Sequence, residues 1–156
     1  MYTVDRRSFL AALTGAALVS VNISIATAAS TSASGNMTIY KTPWCGCCGA
    51  WVDHIKAHGF SVDVVEMDDL AGIKDRYGIA PQLQSCHTGV IDGYVVEGHV
   101  PARDVARLLA ERPAARGISV PGMPIGSPGM EQGDHQDPYA VLLFDENLVK
   151  VFSEYP

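Results

Sequence analysis

The chain has 156 residues, enough for one compact domain. Its apolar fraction of 47% suits a globular protein with a real core. Its net charge of −6, with the basic residues scattered, argues against a nucleic-acid partner, which needs Lys and Arg clustered against phosphates.

The first segment reads as an address. Arg6-Arg7 precedes Phe9-Leu10, and no charged residue occurs from Ser8 to Tyr40. The apolar run Leu10 to Ala26 is diluted by Thr14, Gly15, Ser20, Asn22 and Ser24, and Ala26-Thr27-Ala28 supplies an A-x-A pattern of small residues. This layout predicts a signal peptide over 1–28, of the twin-arginine type, and a periplasmic mature protein. The polar interruptions disfavour the rival reading as a membrane anchor, so no membrane association is expected of the mature form. Residues 29–36 follow as a polar linker, and 37–156 as the folded domain.

Met37 to Tyr40 is a short strand candidate. Cys48 to His58 has the period of a helix, with Trp51, Val52 and Ile55 on one face and Gly59 as its stop. Phe60 to Glu66 alternates as a strand does. Asp69 can cap a helix carrying Leu70, Ile73 and Tyr77, stopped by Gly78. His87 to Ile91 and Tyr94 to Glu97 flank Asp92-Gly93, a strong hairpin signal. Pro101 suits a helix start, Val105, Leu108 and Leu109 mark its buried side, and Pro113 ends it. The order β-α-β-α-β-β-α predicts a thioredoxin-like α/β fold with a mixed four-stranded sheet. Ile118 to Gly133, rich in Pro and Gly, fits no helix or strand period, and a loop this long is usually functional or disordered. Ala140 to Phe144 and Leu148 to Phe152 predict a closing hairpin.

The cysteines carry the chemistry. Trp44-Cys45-Gly46-Cys47-Cys48 follows a strand and opens a helix, where free N–H groups and the helix dipole favour a thiolate. Cys45 and Cys48 have the C-x-x-C spacing of a redox pair. Cys47 is a third sulfur that disulfide exchange does not need, and clustered thiolates suit Cu(I) or zinc. Cys86 precedes the hairpin, in the loop that packs against the C-x-x-C turn of thioredoxin-like folds, and would bring a fourth sulfur to the same place. Three other readings of these residues stand: a thiol–disulfide oxidoreductase with Cys45 as nucleophile and Cys48 as resolving thiol, a zinc-stabilised adaptor, and purely structural disulfides. Among further donors, His87 adjoins Cys86 and is equally readable as ligand or strand residue. His99 reads first as a residue of the turn into the third helix, and His54 and His58 as packed or solvated. Met123 and Met130 offer thioethers in Pro-Gly loops, with apolar plugs as the competing reading.

Taken together, Tyr40-Lys41-Thr42-Pro43 before Cys45-Gly46-Cys47-Cys48, Trp51-Val52-Asp53-His54, Ser85-Cys86-His87-Thr88, Gly93-Tyr94-Val95, Glu97-Gly98-His99-Val100-Pro101, Val120-Pro121-Gly122-Met123-Pro124, Gly126-Ser127-Pro128-Gly129-Met130 and Tyr139-Ala140-Val141-Leu142-Leu143-Phe144 resemble the CopG-like copper-resistance proteins. The resemblance spans nearly all of 37–155. It implies a thioredoxin-like fold, a periplasmic setting, copper held at the clustered cysteines and interconversion of Cu(I) and Cu(II), and it matches all four family cysteines. The expected ligands are Cys45, Cys47, Cys48 and Cys86, with His87 as first auxiliary and His99, Met123 and Met130 behind it. The expected partners are copper ions and other periplasmic copper-handling proteins.

Overall fold

The computed structural model describes residues 35–156, so the expected signal peptide and most of the linker lie outside the described residues. Its strands are β1 (Asn36–Lys41), β2 (Ser61–Glu66), β3 (Thr88–Ile91), β4 (Tyr94–Glu97), β5 (Gly117–Ser119), β6 (Tyr139–Asp145) and β7 (Leu148–Tyr155). Its helices are α1 (Gly46–Ala57), α2 (Ala71–Arg76) and α3 (Ala102–Glu111), with a short 3-10 turn at Pro81–Leu83. Among the described residues no helix is long and apolar enough to cross a membrane.

One mixed sheet runs in the order β2-β1-β3-β4-β5-β6-β7. The parallel pairs β1/β2 and β4/β5 are joined through α1 and α3, because parallel neighbours need a crossover connection. The β3–β4 hairpin turns at Asp92-Gly93, both at positive φ as a two-residue primed turn requires. Alternation along the strands sorts side chains to two faces. Val96 and Leu143 join Trp51, Ile55, Val105 and Leu108 in the main core beneath α1 and α3. Val95 and Phe144 point the other way and pack with Ile79 and Leu83 beyond α2.

The thioredoxin-like order of elements is present, but the sheet has seven strands where the sequence predicts four. The difference lies at β5. The stretch from Ile118 reads as strand-free, yet Gly117–Ser119 is a fully buried strand that joins the β1–β4 half to the C-terminal hairpin. Three residues, buried on both faces and parallel to β4, carry too little periodicity to register. Helix ends also shift slightly. Leu70 holds the N-cap position of α2, while Asp69 accepts the Ala71 N–H at 2.9 Å. Pro101 caps α3, which ends on Arg112 in the left-handed conformation, one residue before Pro113.

The joint at β5 depends on a residue without a side chain. A Cβ on Gly117 would collide with the Val95 backbone, whereas one on Gly72, in α2, would meet nothing within 4 Å. Gly117→Ala should therefore destabilise the domain by about 2–3 kcal/mol and lower the melting temperature by about 10 °C. Gly72→Ala should raise stability by up to about 1 kcal/mol. Paired thermal unfolding curves check both.

Candidate metal centre

The site forms where β1 turns into α1. The Cys45 N–H donates to Thr42 O at 3.2 Å, closing the turn. Cys45 is the N-cap, with extended backbone, and its Sγ accepts the Cys48 N–H at 3.3 Å. A sulfur there faces the unpaired N–H groups and positive dipole end of a twelve-residue helix. Cys45 and Cys48 are disulfide-bonded in this structure, and Cys47 and Cys86 are free. Cys47 Sγ lies 3.5 Å from Cys45 Sγ and 3.9 Å from Cys86 Sγ, and Cys48 Sγ lies 3.7 Å from the Cys86 carbonyl oxygen. The four sulfurs all fall within 4.8 Å of one another, so residues about forty positions apart in sequence meet at one point.

Cys86 rides on a strap held from both sides. The Ser85 N–H donates to Glu97 Oε1 at 2.6 Å, the Ser85 hydroxyl donates to Gly122 O, and the Gly98 N–H donates to His87 O at 3.0 Å. Glu97 is fully buried; it also accepts from Thr88 Oγ1 at 2.7 Å and pairs with the buried Lys74 ammonium. Burial pushes the Glu97 carboxyl above its ordinary range, against the opposing pull of Lys74. Sequence reading missed this pair. The apolar face of α2 drew attention to Leu70, Ile73 and Tyr77, and a Lys beside them reads as solvated.

Two histidines close the site. His87 Nδ1 and His99 Nε2 lie 3.4 and 3.0 Å from Cys86 Sγ, and both rings are fully buried. His99 thus belongs to the site rather than serving only the turn into α3. The His87 ring packs 4.3 Å from Trp51, whose indole N–H donates to Val100 O at 2.8 Å. Desolvation lowers the pKa of both imidazoles. His54 and His58 follow the default reading: His54 Nε2 accepts the Ala102 N–H at 3.0 Å, and neither residue joins the converging groups.

The Pro-Gly segment forms a wall of the site. Pro128 O receives the His99 ring nitrogen at 2.8 Å, and Gly129 packs so closely on α1 that a Cβ would meet Cys47 O and Trp51 N, each at 2.8 Å. Met123 is 52% exposed and so is no apolar plug, and Met130 is half-buried.

Comparison with solved structures decides the family. Two structures described as copper resistance protein CopG, in forms 2 and 1, each share 46% identity with the chain. Each covers 78% of it, the chain covers 98% and 97% of theirs, and the TM-scores are 0.75 and 0.74. The chain belongs to the CopG family. Residues 83–130, which contain the Cys86 strap and the Pro-Gly wall, also match a family described as a protein of unknown function, DUF411. Comparison with curated proteins gives no match.

In this CopG-family site the thiols are not equivalent. Burial pushes the Cys86 thiol up to about 12, with the neighbouring Cys47 adding to the shift. A raised thiol pKa keeps the proton on sulfur. At pH 8 the metal-free, disulfide-bonded protein should therefore alkylate at Cys86 on the order of a thousandfold more slowly than an ordinary exposed cysteine. The Cys86 rate should climb as pH rises toward the shifted pKa. An iodoacetamide time course read by peptide mass spectrometry checks both.

Proposed function

We propose that this chain is a periplasmic copper-binding protein of copper homeostasis or resistance that holds Cu(I) through Cys45, Cys47, Cys48 and Cys86, with His87 as auxiliary ligand. The observation that carries this reading is the convergence of four sulfurs from two separated segments. Thiolates are soft donors that select Cu(I), and three sulfurs in four residues exceed the needs of disulfide exchange. The names of the similar structures support the metal. A zinc ion would also accept four sulfurs, as a closed structural site.

The disulfide between Cys45 and Cys48 favours a second reading, a thiol–disulfide oxidoreductase using that pair. The two readings meet in one balanced step. Two Cu(II) ions take one electron each from the Cys45 and Cys48 thiols, giving two Cu(I), one disulfide and two protons. Closing that bridge takes Cys45 and Cys48 out of the ligand set, and an external dithiol, itself oxidised to a disulfide, must return two electrons and two protons to the pair before all four sulfurs hold Cu(I).

Substitution separates the readings. Cys47→Ala and Cys86→Ser should each weaken Cu(I) binding by more than about tenfold, a change of at least about 1.4 kcal/mol. Thermal unfolding of the metal-free reduced protein should change little. If the chain acts only in thiol exchange, Cu(I) affinity in Cys47→Ala stays at the wild-type value. Competition against a chromophoric Cu(I) chelator reads this directly.

Export is tested separately. Replacing both Arg6 and Arg7 by Lys should trap an unprocessed precursor in the cytoplasm. N-terminal sequencing of the periplasmic wild-type protein should begin near Ala29.

A further inference from the structure

Helix α3 has no cap of its own. Its N-cap residue is Pro101, which has no side-chain oxygen to offer the free N–H groups of the first turn. The acceptor comes from another helix. The Ala102 N–H, at the start of α3, donates to His54 Nε2 of α1 at 3.0 Å. Ala102 is 1% exposed, so water does not stand in for that acceptor. A buried N–H left without a partner keeps the full cost of its desolvation.

Accepting at Nε2 fixes the state of the ring. An imidazole that receives an N–H there is neutral and carries its proton on Nδ1. A second proton would have to enter at Nε2, where it meets the Ala102 N–H and the positive end of the α3 dipole. His58, one turn further along α1, stacks on His54 with ring centroids 4.4 Å apart, and its Nδ1 lies 2.8 Å from His54 O. Once charged, His58 repels a cation on its neighbour. Glu131, in the Pro-Gly segment, is the group that favours the cation. On the first turn of α3, Asp104 spends its oxygens on the Ser153 and Tyr155 hydroxyls, and Arg103 donates to Tyr155. Burial first, then His58, hold the His54 pKa below its ordinary value, against the pull of Glu131.

We infer that His54 is an acid-sensitive latch between α1 and α3: neutral, it caps α3, and protonated, it releases the first turn of that helix. α1 opens at the cysteine run and α3 begins three residues after His99, so the latch lies on the seam between the two helices that flank the cluster. The same seam carries the Trp51 N–H to Val100 O. His54 belongs to none of the groups that converge on Cys86, and the latch works without a bound metal. Linkage gives its direction. As pH falls, the unfolded chain protonates this histidine near the ordinary value of 6.5, before the folded chain does. The contribution of the latch is therefore complete well above pH 6.5 and is lost as pH falls from there through the lower folded value.

The test follows the metal-free, disulfide-bonded protein by NMR from about pH 8 to about pH 4.5, a range that spans imidazole titration. The His54 ring signals and the Ala102 amide should shift together, with one midpoint below 6.5. Exchange of the Ala102, Asp104 and Val105 amides, corrected for the intrinsic rate, should speed up by about tenfold or more at the acid end. His54→Gln places a carbonyl oxygen where Nε2 stood and takes up no proton, so in that variant the same amides should stay slow across the range. A His54 midpoint at or above 6.5, or an Ala102 amide that does not follow the ring, overturns the latch on the wild-type chain alone, whether or not the variant folds. Acid-accelerated exchange that persists undiminished in His54→Gln overturns it as well.

Discussion

The strap that carries Cys86 is fixed by one buried carboxylate. Glu97 sits at the end of β4 with no exposure and gathers the Ser85 N–H, the Thr88 hydroxyl and the Lys74 ammonium around its two oxygens. A buried ion pair is a weak source of net stability, because desolvation consumes most of the attraction. Its value here is geometric. A carboxylate that must be surrounded by donors leaves the strap one place to lie, and that place sets Cys86 Sγ 3.9 Å from Cys47 Sγ. Removing either partner would strand a charge in the interior, a loss of about 3–5 kcal/mol.

The same economy of position recurs at the other end of the sheet. Asp104 on α3 accepts from the Ser153 and Tyr155 hydroxyls of β7, while Arg103 donates to the Tyr155 oxygen at 2.7 Å and Arg107 to Phe152 O at 2.9 Å. The last strand is thereby latched to α3, the helix that begins three residues after His99. Val149 and Val151 lie exposed on β7, an edge strand of the sheet, and the polar clasp ties the other half of that strand to α3.

Much of the fold is legible in the residues because local chemistry and tertiary need coincide. Asp92-Gly93 can hardly do anything but turn, and Trp51, Val52 and Ile55 can hardly face anything but a core. The cysteine cluster is legible for the same reason: a C-x-C-C run at a helix start sets three sulfurs on one turn, and the thioredoxin-like order of elements lays the loop before β3 against it. What stays hidden depends on partners far apart in sequence. Lys74 looks like a solvated helix residue until Glu97 is folded beneath it. His99 looks like part of a turn until Cys86 is brought to 3.0 Å. Strand β5 is three residues whose only signature is the neighbours it pairs with. The role of the Pro-Gly segment is half legible: its composition announces an irregular wall, but not that the Pro128 carbonyl would aim an imidazole.

The thiols and imidazoles of the cluster lie at graded depths. Cys45, Cys47 and Cys86 are partly open to solvent, beside a Trp44 ring that is 70% exposed, while Cys48, His87 and His99 have no exposure at all. On the proposed copper reading, an ion coming from solvent would meet the outer sulfurs first and reach the buried groups only by exchanging one bond for the next. Departure would retrace the same steps. A site of that kind would trade ions by handover between ligand sets rather than by release of a bare ion, with the outer thiols as its threshold.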